Sequence, residues 1–259
     1  MTTALITGAS AGIGAAFAQE LATRQTNLVL VARSESKLQQ LAQHLQEQYK
    51  IRVDIVVQDL TQPKAAKAVF DVVTAKGLTI DLLINNAGFG EYGAFADLDG
   101  ERQLNMLQLN ILALVDLTHQ FLPGMRQRSA GGIINMSSVA AFQPMPYFSV
   151  YAASKAFVLS FSEALWAENR SYGVHVLAVC PGPTETNFFQ EAEFPSALVN
   201  VAAANYTPTA VVVREALKAL EKNHPSIIPG NIGNQLIANL HRFLPREALA
   251  SLWKNLLKN

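Results

Sequence analysis

The sequence predicts an α/β fold: a doubly wound, mostly parallel sheet of about seven strands with helices on both faces. Three observations predict it. Short runs rich in Val, Ile and Leu alternate along the chain with longer stretches of helical period. A glycine cluster, Gly8, Gly12 and Gly14, directly follows the first of those runs. No linker or shift of composition divides the 259 residues, so 1–259 read as one domain.

In order, Thr3–Thr7 is the first strand and Ala15–Thr23 the first helix, with GASAGIG between them. Asn27–Ala32 is a second strand, followed by a Gln-rich helix from Ser34 to Tyr49 and a third strand over Ile51–Val57. Pro63 suits the first turn of a helix running to Ala75, because its missing N–H is unpaired there anyway. Asp81–Asn85 is the next strand, then the glycine-rich loop NNAGFGEYGAF and a long helix over Gly100–Gln127. Gly132–Ser137 is a strand, Val150–Tyr172 a helix and Val174–Cys180 a strand. From Pro181 to Tyr206 the pattern is irregular; residues 187–206 read either as a substrate lid or as an ordinary surface excursion. A helix over Thr209–Lys222, a short run at Ser226–Ile228 and a helical tail over 233–259 complete the chain.

Composition excludes several classes. Twenty basic residues balance twenty acidic ones, which gives no support for a nucleic-acid partner. The single cysteine, Cys180, rules out an intrachain disulfide framework and a multi-cysteine metal site, and it suits a reducing compartment. Five dispersed histidines lack metal-ligand spacing, so no metal is expected. Met1 is followed at once by a strand-like run, not by a basic start and a long apolar region, so no signal peptide is expected. No apolar run approaches the ~18 residues of a membrane span, and the expected location is cytoplasmic.

Glycines between a strand and a helix permit a tight turn and close backbone approach to a pyrophosphate at the helix N-terminus. The spacing here, Gly-x3-Gly-x-Gly, departs from the commoner Gly-x-Gly-x-x-Gly. The same residues also spell Gly-x-Ser-x-Gly around Ser10, the pattern of a hydrolase nucleophile elbow. Position weighs against that reading, because only seven residues precede Gly8 and no Asp and His partners stand out. At the end of the second strand, LVLVARSES offers Arg33 and Ser34 and no acid. An arginine there holds the 2′-phosphate of NADP, where an acid would bind the ribose hydroxyl of NAD; the alternative is a strand-end arginine in solvent.

Farther on, Tyr151 and Lys155 stand four residues apart on one helical face, with Ser138 upstream. An ammonium beside a phenol favours the phenolate, and a nearby hydroxyl can bond the oxygen that the phenol protonates. Such a group moves a proton on a carbonyl or alcohol oxygen but supplies no hydride, so it needs a cofactor.

Together these pieces resemble the short-chain dehydrogenase/reductase family over Ala4 to Thr186, with its Rossmann-like fold. The residues that carry the resemblance are TGASAGIG (Thr7–Gly14, including Ile13), Asp59-Leu60, NNAG (with Asn86, Ala87 and Gly88), Asn110, Ser138, Tyr151, Lys155 and PGPTET (Pro181–Thr186). The family separation of Ser and Tyr, 151 − 138 = 13, selects Ser138, leaving Ser137 structural. The resemblance implies Tyr151 as general acid or base, Lys155 lowering its pKa and holding the nicotinamide ribose, Ser138 positioning the substrate oxygen, and Asn110 anchoring a relay water. It also implies that Gly182, Thr184 and Thr186 lie at the nicotinamide, with Thr186 on the carboxamide. NADP(H) is the expected cofactor and NAD(H) a possible one, since NADP-preferring relatives often carry a basic residue where this chain has Ala11.

Phe89, Tyr92, Phe142, Pro144, Met145, Phe188 and Phe189 fall where the family places its substrate, so a small apolar carbonyl or alcohol is expected; core side chains are the rival reading. The family resemblance also implies a homodimer or homotetramer. The tail repeats apolar residues at helical spacing among Arg242, Arg246, Lys254 and Lys258, with Pro245 as a break. A tail packed over the substrate mouth or on a second subunit is the preferred reading, and peripheral membrane contact the alternative. Two other functions stay open: a cofactor-binding regulator without turnover, and the Ser10 hydrolase.

Overall fold

The computed structural model of the protein describes residues 2–258. The N-terminal half alternates β1 (Thr3–Thr7), α1 (Gly12–Thr23), β2 (Asn27–Ala32), α2 (Glu35–Tyr49), β3 (Val53–Val57), α3 (Ala65–Ala75) and β4 (Leu82–Asn85). Then come α4 (Gly100–Leu107), α5 (Leu114–Arg128), β5 (Gly131–Met136), α6 (Ser149–Asn169) and β6 (Val174–Val179). The last part holds α7 (Phe188–Glu191), α8 (Ser196–Ala203), α9 (Thr209–Glu221), β7 (Ser226–Ile227), α10 (Ile232–Asn239) and α11 (Arg246–Leu257).

The strands form one seven-stranded sheet in the order β3-β2-β1-β4-β5-β6-β7, with every pair parallel. Both faces are covered, which explains why the strands read as apolar runs and not as alternation. Ile6, Leu30, Ile134 and Leu177 point into one core with Phe17, Leu38 and Val213 from α1, α2 and α9. Leu5, Val31, Ile133 and Val176 point into the other with Val69, Leu117 and Phe121 from α3 and α5. The strand order reverses between β1 and β4, and ligands of such sheets bind outside the carboxyl ends of the strands at that point.

Three expectations need correction. Pro63 lies outside α3, in a turn whose last residue, Lys64, takes the left-handed conformation (φ 62) before the helix starts at Ala65. The long helix is not uniform, because Gln108–Ala113 forms a π-turn between α4 and α5. The irregular stretch contains two short helices, α7 and α8. Pro245 does break the tail: it is the N-cap of α11, separated from α10 by a short 3-10 turn.

Candidate active site

One cavity of about 1190 Å³ runs across the carboxyl ends of the strands. Its first wall is the loop after β1. Gly8 and Gly12 are left-handed (φ 64 and 55), and α1 begins at Gly12, so Gly12, Ile13 and Gly14 present the unpaired amides of a helix start. A Cβ on Gly14 would stand 2.3 Å from the Gly8 carbonyl oxygen, so only glycine fits. NNAG fixes this loop from below. The Asn86 side chain donates to the Thr7 carbonyl at 2.9 Å, and the Thr7 hydroxyl accepts from the backbone of Asn86 and Ala87 at 3.0 Å each. Asn85 takes no part in the cavity; its buried amide donates to Asn135 (2.9 Å) and Thr118 (3.0 Å). The cradle fits a pyrophosphate, since Gly8, Gly12 and Ile13 border the cavity at a helix start; Gly14 does not border it and instead packs behind, on the Gly8 carbonyl.

Arg33, Ser34, Asp59 and Leu60 border the far end of the cavity. Burial raises the Asp59 carboxyl, but hydrogen bonds from Thr61 and the charge of Arg33 outweigh it and hold the group below its ordinary value. Lys37, one turn into α2, borders the same end and was missed from the sequence.

Ser138, Tyr151 and Lys155, the expected proton-handling group, sit midway. Ser138 leaves β5 and caps a 3-10 turn, Val139–Phe142, accepting from the Ala140 amide at 3.1 Å. Tyr151 and Lys155 lie on α6, 8% and 5% exposed. The Tyr151 ring stacks on Phe148 at 4.3 Å and meets Phe188 at 5.3 Å. Burial raises the phenol above its ordinary 10.0, and a hydrogen bond from Ser138 offsets only part of the rise. Burial also lowers the Lys155 ammonium to about 8. Desolvation of the charged form is the largest cause of both shifts. The Lys155 ammonium donates to the Met136 carbonyl at 2.9 Å and stands 5.5 Å from the Tyr151 ring centre. Ser137 borders the cavity too, and its hydroxyl is engaged in donating to the Lys155 carbonyl at 2.7 Å.

Asn110 is buried in the π-turn. Its amide donates to the Phe89 carbonyl at 3.0 Å and its oxygen accepts from the Phe89 amide at 3.1 Å, tying the helix to the loop after Gly88. A Cβ on Gly88 would stand 2.8 Å from the Asn110 side-chain oxygen and 3.4 Å from the Lys155 ammonium, so both groups converge on that glycine. Such π-turns recur at functional sites because they re-aim one side chain.

Pro181, Gly182, Thr184 and Thr186 close the other side. A Cβ on Gly12 would meet the Thr186 methyl at 3.2 Å, so this segment reaches across to the first glycine loop. Asn234 of α10 is tucked against Gly182, where a Cβ would be 2.1 Å from its amide oxygen, and its nitrogen donates to the Pro229 carbonyl at 3.1 Å.

Beyond Tyr151 the wall turns apolar. Phe89, Met145, Phe188 and Phe189 border the cavity as expected; Tyr92, Phe142 and Pro144 do not. Tyr92 packs behind it against Phe194 (4.7 Å) and donates to the Leu257 carbonyl. Phe142 stacks on His241 at 5.9 Å. Phe148, Phe194, Trp253 and Leu257 border the cavity and were missed as site residues; helical spacing alone does not say what a helix covers. The nucleophile-elbow reading finds no support: among the described residues no histidine or carboxylate hydrogen-bonds Ser10, although Ser10 borders the cavity. Nor do the described residues contain a cluster that could hold a metal ion, or a helix long and apolar enough to cross a membrane.

Known proteins resemble this chain in sequence and fold. The chain is 40% identical over 186 residues to a very-long-chain 3-oxoacyl-CoA reductase of Anas platyrhynchos, covering 69% of this chain and 58% of that protein. It thus spans little more than half the length of the curated relatives it matches. Among solved structures, a short-chain dehydrogenase from Sphingobium yanoikuyae in complex with NADPH aligns over 100% of this chain and 96% of its own, with 32% identity and a TM-score of 0.82. A bulky-bulky ketone specific alcohol dehydrogenase from Comamonas testosteroni aligns over 97% and 94%, with 33% identity and a TM-score of 0.79. The family profile described as short chain dehydrogenase matches residues 2–196, three quarters of the sequence, and the chain belongs to the short-chain dehydrogenase/reductase family.

Proposed function

We propose that this chain is an NADP(H)-dependent oxidoreductase that interconverts a ketone and a secondary alcohol on an apolar substrate. The observation that carries the reading is the course of one continuous cavity, from Arg33 past the glycine cradle to Ser138, Tyr151 and Lys155 and into an aromatic chamber. Arg33 and Lys37 supply two cations for a 2′-phosphate, which favours NADP(H) over NAD(H). When bound, the dihydronicotinamide supplies the hydride. Ser138 orients the carbonyl oxygen. Tyr151 gives that oxygen its proton in reduction and takes one from it in oxidation. Lys155 holds the ribose, and Asn110 carries a water that returns a proton from solvent. Thr186, beside the first glycine loop, takes the carboxamide.

Residues 187–206 act as the substrate lid, since α7 sets Phe188 directly on Tyr151. The tail closes the same mouth through Trp253 and Leu257, so its packed role is preferred over a membrane anchor. Exposed Leu104, Leu112 and Phe157, on α4, the π-turn and α6, supply an apolar face for a homodimer or homotetramer. The buried lone thiol of Cys180 suits the cytoplasm.

The test is NADPH oxidation followed across a panel of ketones and aldehydes. Turnover of apolar ketones is expected. Tight NADPH binding without turnover of any carbonyl would favour the regulator instead.

A further inference from the structure

The apolar chamber contains polar atoms with nothing to bond. Gln143 is 5% exposed and borders the cavity, yet neither the nitrogen nor the oxygen of its amide has a hydrogen-bond partner. Trp253 borders the same cavity, and its indole N–H is also buried without a partner. An unpaired buried polar group carries its full desolvation cost, and native chains rarely leave one without a reason. The fold supplies none at Gln143: methionine would fill nearly the same volume without the cost.

Position supplies a reason. Ser138 caps the 3-10 turn Val139–Phe142 at one end, and Gln143 follows it at the other. One rigid turn therefore carries both the hydroxyl expected to orient the reacting oxygen and the orphan amide. The amide has no bond to lose and three rotatable bonds with which to turn into the chamber. The cations that border the cavity, Arg33, Lys37 and Lys155, all belong to the cofactor end or the proton-handling group, so nothing at Gln143 would neutralise a carboxylate.

We propose that Gln143, with Trp253 as a second donor, forms a polar subsite for a second, uncharged oxygen of the substrate. The substrate class is then an apolar ketone that carries a further carbonyl or ester oxygen close to the reacting one, not a plain dialkyl ketone. This deepens the reductase reading above and rests on it.

The experiment compares ethyl 3-oxooctanoate with 6-undecanone, which has the same chain length and lacks the ester oxygens, in wild type and Gln143→Met. The ratio of kcat/KM values across the two proteins cancels the intrinsic reactivity of each ketone. Gln143→Met is expected to lower the preference for the oxoester by about tenfold or more, through the oxoester and far less through 6-undecanone. Without ligands it should also melt no lower than wild type, and roughly 2–4 °C higher if the orphan amide is relieved. An unchanged preference with both ketones turned over overturns the subsite. A ligand-free melting temperature several degrees lower overturns it too, because the amide is then structural. Failure of the reductase reading looks different: wild type binds NADPH and reduces neither ketone, and the subsite falls with it.

Discussion

At the cofactor end of the cavity, a Cβ on Gly14 would stand 2.3 Å from the Gly8 carbonyl; at the substrate end, Phe188 and Phe189 meet edge to face at 5.7 Å. The first contact admits one residue type. The second is apolar packing, which tolerates exchanges of similar volume. The cofactor end is built from backbone amides and short polar staples that start in the first turn of the chain. The substrate end is built from bulky side chains of α7, α8, α10 and α11. The family match takes in the whole cofactor end and only part of the substrate end: it includes α7 and ends at residue 196, while the cavity continues to Leu257. A constant ligand demands backbone geometry, whereas a variable one is accommodated by replaceable side chains.

The junction between the two ends gives the largest expected effect. Tyr151→Phe keeps the ring between Phe148 and Phe188 and removes the proposed proton donor, so turnover should fall by ~10²–10⁴ with folding and NADPH affinity retained. Near-wild-type turnover would remove Tyr151 from the proposed mechanism. Linkage offers a second check there. Lys155 titrates near 8 in the folded chain and 10.5 outside it, so its share of stability is present above 10.5 and is lost as pH falls toward 8. Tyr151 has its folded value raised, so its share is present below 10.0 and lost as pH rises above that. Wild-type stability should therefore climb from about pH 8 to pH 10, and Lys155→Met should flatten that climb. Chemical denaturation across this window measures it; an unchanged slope in Lys155→Met would mean that the ammonium is not desolvated.

Next in size is the cofactor end. Arg33→Ala should weaken NADPH by about 1.5–3 kcal/mol, roughly 10- to 150-fold, and leave NADH nearly untouched. Titrating both cofactors against both proteins decides it. An unchanged ratio leaves Arg33 as a surface residue beside Asp59. The comparison sharpens if the loss is the same for every ketone assayed.

The difference between the two ends also explains what the sequence made legible. Gly8, Gly14, Asn86 and the Tyr151–Lys155 pair were readable because each answers a steric or chemical demand that few residues meet, at fixed spacing. The parallel sheet with helices on both faces followed from the βα alternation; the order of its strands is a matter of long-range pairing that the alternation does not record. The π-turn at Asn110 was not readable, since its side-chain clamp on Phe89 is a contact across 21 residues that helical period does not record. Pro63 misled because it fits a helix start and a preceding turn equally well. Phe148 and Leu257 were missed because an apolar residue looks the same whether it lines a cavity or fills a core.

The tail tests the substrate end, with a smaller effect. Leu249 is fully buried and Leu257 is 8% exposed, and burying a leucine contributes about 1.5–3 kcal/mol. Deleting residues 249–259 should lower the melting temperature by several degrees and cut kcat/KM for bulky ketones by about tenfold, with NADPH affinity preserved. Equal losses in cofactor and ketone binding would break the division between the two ends. Salt-sensitive binding of the intact chain to anionic liposomes, lost on truncation, would turn the exposed Leu252 and Leu256 beside Lys254 and Lys258 into a membrane contact.

The smallest effect is expected at Ser10, where the comparison is least forgiving of the hydrolase alternative. Ser10 borders the cavity, but the loop around it is held by Thr7 and Asn86, not by its own side chain. A phosphate in the cradle meets the backbone amides of α1 as well, so Ser10→Ala removes one donor among several and should change NADPH affinity by less than about threefold. Ketone turnover should stay close to wild type. A nucleophile would behave otherwise, because its loss removes the covalent step entirely. Assaying both proteins with p-nitrophenyl acetate and with NADPH plus a ketone separates the cases. Ester cleavage by wild type that Ser10→Ala abolishes, with ketone reduction absent from both, would assign this loop to acyl transfer and the glycines around it to an elbow in place of a cradle.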